Sequence, residues 1–162
     1  MNQAQNAPEP IYSFKRFYNL PCAHRQHRHS GNCALVHGYS RSVEFKFGAA
    51  NLDSCGFVVD FGQLGWLKDW LEMMFDHTLL LSQDDPLLPE FYALERAGAC
   101  VIRLMPHGVG MEGSAQYVCE HVDHKLREVT KGRCWVESVT CYENDKNWAV
   151  YNNPDAGFRG WL

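Results

Sequence analysis

The sequence predicts an α+β domain in which an antiparallel β-sheet carries its helices on one face. Apolar and polar residues alternate with the period of β-strands near both ends of the chain. Between these ends, apolar residues recur at steps of three and four, which is the spacing of helices. The predicted order is β, β, α, short α, α, β, β, which differs from the βαβ alternation of a doubly wound parallel sheet.

The first two strands are predicted in the N-terminal third of the chain. Residues 11–20 (IYSFKRFYNL) have a β-rich composition, and residues 40–47 (SRSVEFKF) alternate cleanly through Val43, Phe45 and Phe47. Residues 21–39 are polar, contain four histidines and include the turn signal Ser-Gly-Asn. This segment is therefore predicted to be a loop that enters the second strand.

Three helices and three further strands are predicted in the rest of the chain. The first helix begins at Leu64 and ends near residues 76–77, because residues 67, 71, 74 and 75 have helical apolar spacing. A shorter helix opens at the Asp-Asp-Pro sequence of residues 84–86 and stops at Gly98. The third helix has an apolar stripe over residues 115–129 and stops at residues 131–132. The three strands are predicted at residues 101–105, 134–142 and 148–151.

The composition is typical of one folded domain. Of the 162 residues, 46% are apolar and 21% are charged. The formal net charge is −4, so the chain lacks the positive charge that draws proteins onto nucleic acid. No stretch approaches the roughly 18 apolar residues of a membrane helix. We expect a cytoplasmic protein without nucleic-acid or membrane partners, with a disordered tail at residues 1–10 and a single domain at residues 11–162. An open sheet edge is commonly covered by a second copy of the chain, so we also expect a homo-oligomer.

Four of the eight histidines lie between His24 and His37, and this clustering indicates a metal site. Imidazole is the usual nitrogen ligand of zinc, and catalytic zinc takes three protein ligands. His24 and His37 border the first two predicted strands, so they can face each other across the sheet. The alternative for any one of these histidines is a solvated position in a polar loop.

Three other positions are candidates for chemistry. Cys33 precedes His37 by four residues, and a thiol near a cation has a lowered pKa and can act as a base. Asp76 is adjacent to His77, and a carboxylate beside an imidazole can select its tautomer. Glu143 ends an uncharged strand segment, where a buried carboxylate would need a partner. The seven cysteines contain no Cys-x-x-Cys pair, so reduced thiols are predicted, with Cys119 and Cys141 in the core.

Several motifs occur in a fixed order along the chain. They are residues 22–25 (CAHR), 33–39 (CALVHGY), 56–62 (GFVVDFG), 76–77 (DH) and the strand that ends at Glu143. Together they resemble the 6-pyruvoyl tetrahydropterin synthase superfamily, and within it the bacterial 6-carboxytetrahydropterin synthases. The resemblance runs from Phe14 to Tyr151. It implies the tunnelling fold (T-fold), in which ββααββ subunits form trimeric barrels that pair as hexamers, with active sites between subunits.

The resemblance implies a role for each candidate residue. In the family pattern His24 and His37 hold zinc, Cys33 is the catalytic base, Asp76 and His77 form a catalytic pair, and Glu143 and Glu112 bind the substrate. The implied reaction converts 7,8-dihydroneopterin triphosphate to 6-carboxy-5,6,7,8-tetrahydropterin, with release of acetaldehyde and triphosphate, in 7-deazaguanine (queuosine precursor) biosynthesis. The alternatives are the pyruvoyl branch, which eliminates triphosphate and keeps the side chain, and a non-catalytic pterin- or purine-binding protein.

The sequence departs from the family pattern in two places. Tyr39 replaces the second histidine of the family's His-Gly-His, so the third zinc ligand is open between Tyr39, His27 and His29. The chain also carries an inserted segment at about residues 84–110. This segment is expected either to line the mouth of the substrate site or to extend a contact between subunits.

Overall fold

The computed structural model describes residues 9–157, so most of the predicted N-terminal tail lies outside the described residues. The described chain forms one six-stranded sheet and three α-helices. The strands are β1 (Ile11–His24), β2 (His37–Ala49), β3 (Thr78–Ser82), β4 (Ile102–Met105), β5 (Cys134–Tyr142) and β6 (Trp148–Asn152), and the helices are α1 (Gly65–Phe75), α2 (Leu88–Arg96) and α3 (Met111–Thr130). The predicted α+β order is confirmed, with two short strands added to it: β4, which matches the strand predicted at residues 101–105, and β3, which was not predicted.

The sheet is mixed, which corrects the prediction of a purely antiparallel sheet. Its strand order is β4-β3-β1-β2-β5-β6. The pairs β1–β2, β2–β5 and β5–β6 are antiparallel, whereas β3 runs parallel to β1 and β4 runs parallel to β3. The sequence signal of β3 is weak, because three successive leucines in TLLLS show no alternation.

The helices lie on both faces of the sheet, which corrects the prediction that they share one face. Helices α1 and α3 cover the main core, to which Leu80 of β3 belongs. The neighbouring Leu79 and Leu81 belong to a second cluster with Phe91 of α2 and Ile102 of β4. Because successive strand residues point to opposite faces, α2 lies on the face opposite to α1 and α3. The inserted segment therefore contributes α2 and β4 and covers the second face of β3.

The ends of β1 and β2 extend further toward the histidine-rich loop than predicted. Strand β1 continues to His24 and β2 begins at His37, so the loop is limited to residues 25–36. The two strands remain paired to this end, because Cys22 lies opposite Tyr39 and His24 lies opposite His37. This pairing places the candidate metal ligands on the sheet itself.

Other boundaries agree closely with the sequence pattern. Strand β5 has the predicted bounds, and α3 ends at Thr130, followed by Lys131 in the left-handed conformation (φ 52°). The Gly132 N–H donates to the Arg127 carbonyl oxygen at 2.8 Å and closes the helix end. Within residues 9–157, no helix is both long and apolar enough to cross a membrane.

Candidate active site

His24 and His37 form a pair of imidazoles at the end of the β1–β2 ladder. The two residues are directly opposite each other, and their ring centroids are 4.3 Å apart. His24 is buried, with 5% of its surface exposed, whereas His37 is half-buried. The register of the two strands therefore brings one imidazole from each strand to the same place.

The buried imidazole of His24 is held in its neutral form. Burial lowers the pKa of His24 from 6.5 to about 3, and the positive charge of Arg41 and the neighbouring His37 act in the same direction. The Nδ1 atom of His37 lies 2.7 Å from the Leu35 carbonyl oxygen. A carbonyl can only accept, so Nδ1 of His37 carries a proton, and Nε2 is the ring nitrogen of His37 that a metal ion would use.

The pair has the properties that a metal ion needs from two of its ligands. Nδ1 of His24 is buried and has no hydrogen-bond partner among residues 9–157, which is costly unless another group binds there. Metals bind neutral imidazole, and neutral imidazole is the form that burial favours at His24. The two histidines therefore fit a zinc ion as nitrogen ligands.

The aromatic ring of Tyr39 lies beside the histidine pair. The Tyr39 ring centroid is 5.8 Å from that of His37 and 6.2 Å from that of His24. No group of three or more His, Cys, Asp or Glu side chains suited to a metal occurs in the described part of the chain. Tyr39 is therefore the aromatic residue that the fold places next to the histidine pair.

The rings of His27 and His29 contact other groups than the histidine pair. The His27 ring lies between two aspartates, with ring nitrogens 3.8 Å from Asp84 and 3.9 Å from Asp85. Nδ1 of His29 accepts the Gly31 N–H at 2.9 Å in an exposed turn. In this conformation neither ring joins His24 and His37.

Cys33 lies in the loop that joins β1 to β2, within a short 3₁₀ turn at Asn32–Ala34. It is exposed, and its carbonyl oxygen accepts the Gln26 N–H at 2.8 Å. By contrast, burial raises the pKa of Cys119 and of Cys141 to about 12, so these core thiols remain protonated. The predicted core positions of Cys119 and Cys141 are confirmed, and Cys33 is a thiol that a substrate can reach.

Asp76 and His77 form a close pair at the end of α1. Oδ1 of Asp76 is 2.6 Å from Nδ1 of His77, and the His77 side chain is 85% exposed. The His77 N–H donates to the Pro21 carbonyl oxygen at 2.7 Å, which fixes the pair beside β1. His77 has a φ of 56°, a left-handed conformation that residues other than glycine seldom adopt. Because Pro21 precedes His24 by three residues, this hydrogen bond lies about 10 Å along β1 from His24.

Glu143 lies apart from the histidine pair within one chain. Glu143 follows β5, and its Oε2 accepts from the side-chain amides of Asn147 at 3.2 Å and Asn144 at 3.4 Å. Tyr142 lies opposite Ser42, so Glu143 is level with residue 41 and about 13 Å along β2 from His37. Glu112 is exposed in the first turn of α3.

Arg41 is a component of the site that the sequence interpretation missed. It is 2% exposed and donates to the Ser114 hydroxyl and the Val109 carbonyl oxygen, each at 3.0 Å. A buried guanidinium bonded to these neutral oxygens raises the local potential, and its charge contributes to the lowered pKa of His24. The sequence does contain a signal for the burial of Arg41, because residues 41, 43, 45 and 47 alternate along one strand and therefore share the face of Val43, Phe45 and Phe47.

A surface cleft of about 480 Å³ opens beside the histidine-rich loop. It is lined by Gln26 and Arg28 of that loop, by residues 82–84 after β3 and by residues 106–108 before α3. Two of its three walls, residues 82–84 and 106–108, lie in the segment at about residues 84–110 or directly next to it. This segment thus contributes to a cleft beside the histidine-rich loop.

Comparison with known proteins places the chain in a family. The sequence profile described as 6-pyruvoyl tetrahydropterin synthase matches residues 13–154. The chain belongs to this family. A relative from Rickettsia conorii, named 6-carboxy-5,6,7,8-tetrahydropterin synthase, is 40% identical over 129 residues, which cover 79% of this chain and 91% of the relative. A Bacillus subtilis protein of the same name is 34% identical over 51% of this chain and 57% of its own.

Solved structures share the fold. An uncharacterised Wolinella succinogenes protein superimposes with a TM-score of 0.74 at 21% identity, covering 90% of this chain and 99% of its own. A catalytic-residue mutant of Plasmodium vivax 6-pyruvoyltetrahydropterin synthase gives a TM-score of 0.66 at 17% identity, covering 90% and 98%. The predicted T-fold is confirmed, and α2 and β4 lie within the segment that the sequence predicts as an insertion.

The lowered pKa of His24 predicts a pH dependence of stability. The unfolded chain, with a pKa near 6.5, binds the proton more tightly than the folded chain. The contribution of the neutral His24 side chain to the free energy of unfolding is therefore complete above about pH 6.5, and it is lost as the pH falls toward about 3. In chemical denaturation of the metal-free protein, wild type should lose more unfolding free energy than His24→Asn between about pH 7 and pH 4. Equal losses would mean that His24 titrates alike in both states.

Proposed function

We propose that this chain is a zinc-dependent lyase that converts 7,8-dihydroneopterin triphosphate to 6-carboxy-5,6,7,8-tetrahydropterin, with release of acetaldehyde and triphosphate, in 7-deazaguanine biosynthesis. The observation that carries the proposal is the close pair of imidazoles of His24 and His37, in which burial keeps His24 neutral. The family membership and the name of the Rickettsia conorii relative support the reaction. Zinc as the cofactor is part of the proposal.

His24 and His37 would hold the zinc ion, with Tyr39 as the neighbouring third donor. Bound zinc supplies a Lewis acid that makes the hydroxyl groups of the substrate side chain more acidic. Burial and the charge of Arg41 keep the His24 imidazole neutral. His37 is half-buried and Tyr39 is 37% exposed, so a substrate can reach this end of the ladder.

Two groups of the chain would move protons. Cys33, as the thiolate, takes a proton from the substrate side chain, because its exposed position permits contact. Asp76 accepts the Nδ1–H of His77, which leaves Nε2 of His77 able to take up and return a proton. The strained φ of His77 supports a functional role, since such conformations persist where the surrounding structure holds them.

Glu143 would orient the pterin ring. Its carboxylate accepts two parallel hydrogen bonds from N3–H and the 2-amino group of the ring, in place of the bonds from Asn144 and Asn147. Glu112 is proposed as a second substrate-binding carboxylate. The cleft beside Gln26 and Asp84 supports the proposal that the inserted segment lines the substrate mouth.

A homo-oligomer, either a trimer or a hexamer, is part of the proposal. Strands β4 and β6 form the two edges of the sheet, and Trp148 and Val150 of β6 are exposed. Open edges and exposed apolar side chains are the features that a second copy of the chain covers. An oligomer also allows Glu143 of a neighbouring subunit to approach the histidine pair.

Two alternatives remain open to experiment. The 6-pyruvoyl branch is supported by the family profile, and it differs in its product, because triphosphate is eliminated and the side chain is retained. A non-catalytic pterin- or purine-binding protein is favoured by one observation, namely the lack of a three-member His, Cys, Asp or Glu group within residues 9–157. Product analysis distinguishes all three.

The first test compares wild type with Cys33→Ala. Incubation of the zinc-loaded wild-type protein with 7,8-dihydroneopterin triphosphate should give 6-carboxytetrahydropterin and acetaldehyde, detected by mass spectrometry. Cys33→Ala should keep its zinc and its melting temperature but lose turnover by at least about a hundredfold, because it lacks the proton acceptor. A matched control is Cys55→Ala, which removes another exposed thiol and should leave turnover unchanged. A 6-pyruvoyl product would assign the other branch, and unchanged turnover in Cys33→Ala would place the base elsewhere.

A second test concerns Glu143. Glu143→Gln keeps shape and volume but turns one acceptor into a donor, so one donor of the pterin ring would face another donor. Charge-assisted hydrogen bonds contribute about 1.5 to 3 kcal/mol each, so the affinity for sepiapterin or biopterin should fall at least tenfold. Asp145→Asn, which removes a charge from the same exposed turn, is the control and should bind like wild type. Equal dissociation constants for Glu143→Gln and wild type would contradict the assignment.

A further inference from the structure

Two aspartates that follow β3 face the basic residues that follow His24. Nε of Arg25 lies 3.0 Å from Oδ2 of Asp85. The Asp85 side chain is fully buried and that of Arg25 is 14% exposed, so this ion pair is shielded from solvent. Asp84 pairs with Arg28 at the surface, where the two side chains are 51% and 70% exposed. The two aspartates therefore differ in the burial of their arginine pairs, while the His27 ring lies 3.8 Å from Asp84 and 3.9 Å from Asp85.

Asp85 also contacts His27 and is itself held in place. Its Oδ2 is 3.9 Å from Nδ1 of the His27 ring, whose side chain is only 9% exposed. Its other oxygen, Oδ1, accepts the Leu87 N–H at 2.9 Å. The Leu87 N–H thus fixes one oxygen of the carboxylate at the start of α2, and the other oxygen lies at ion-pair distance from Arg25 and close to the His27 ring, without a hydrogen bond to either.

The contacts of Asp85 extend to Cys33 through the backbone. Gln26 lies between Arg25 and His27, and its N–H donates to the Cys33 carbonyl oxygen at 2.8 Å. The Arg25 guanidinium also lies 5.8 Å from the ring centroid of Phe91 in α2. Residues on both sides of Gln26 are thus anchored to the inserted segment, and Gln26 in turn holds Cys33.

We propose that Asp85 is a positioning residue for the candidate active site. By holding Arg25 and His27, it determines the path of the chain as it leaves His24, keeps the His27 ring away from the metal ligands and places Cys33 beside them. The role of the inserted segment is then to order the histidine-rich loop. This inference rests on the proposed zinc site for its effect on metal binding, whereas its effect on the loop can be measured without metal.

The test compares wild type with Asp85→Asn, using Asp84→Asn as the matched control. Zinc dissociation constants are measured by competition with a chromophoric chelator, and amide hydrogen exchange is followed in the zinc-free proteins. Asp85→Asn should weaken zinc binding by about tenfold or more, as loss of a group that supports metal ligands does, and should speed exchange in residues 25–33. Asp84→Asn should stay within about twofold of wild type, since exposed ion pairs contribute little.

A second variant separates positioning from a general loss of stability. Arg25→Gln combined with Asp85→Asn removes both charges of the pair and leaves no buried ion without a partner. If the pair acts as a unit, the zinc affinity of the double variant should equal that of Asp85→Asn, with no added loss. Should Asp85→Asn fail to fold, the double variant is compared directly with wild type. Unchanged zinc affinity in a folded variant without Asp85 would overturn the proposal.

The proposed zinc site can fail independently of this inference. If the wild-type protein binds no zinc, the metal assignment of His24 and His37 is wrong, and hydrogen exchange in the zinc-free proteins then decides the role of Asp85. Faster exchange confined to residues 25–33 in Asp85→Asn would support the positioning role. Exchange identical to wild type would overturn it.

Discussion

The pairing of β1 with β2 up to the last residue of β1 is the constraint on which the candidate site depends. Because the ladder is antiparallel and continuous at this end, His24 lies opposite His37 and Cys22 lies opposite Tyr39. A slip of one residue would turn each of these side chains to the other face of the sheet. The register is protected by the core residues of β2, since Phe45 and Phe47 are fully buried on the same face.

Burial and charge then give this end of the sheet its chemistry. Arg41 is buried and donates to the neutral oxygens of Ser114 and Val109, and burial together with the Arg41 charge disfavours the protonated form of His24. Neutral imidazole is the form that binds a metal, and a positive surrounding favours an anionic oxygen of a ligand. Asp85, which follows β3, forms a buried ion pair with Arg25 of the loop that joins the two strands.

Much of this arrangement could be predicted from the sequence. Alternation predicted β5 at its observed bounds, and the positions of His24 and His37 beside two strands predicted that they would face each other. The parallel strand β3 could not be predicted, because TLLLS shows no alternation when both of its faces are buried. The contact between Asp85 and Arg25 joins residues 60 positions apart, and local sequence patterns contain no information on such a pairing. The roles of Cys33, Asp76, His77, Glu112 and Glu143 stay predictions.

The zinc content of the purified protein tests the central claim most directly. Metal analysis should be carried out on wild type, His37→Ala and His29→Ala, with circular dichroism to confirm that each is folded. His29 is the matched control, because its ring bonds to the Gly31 N–H in an exposed turn away from the histidine pair. We predict about one zinc per chain in wild type and His29→Ala, and loss of zinc in His37→Ala. Full zinc occupancy in folded His37→Ala, or none in wild type, would contradict the account.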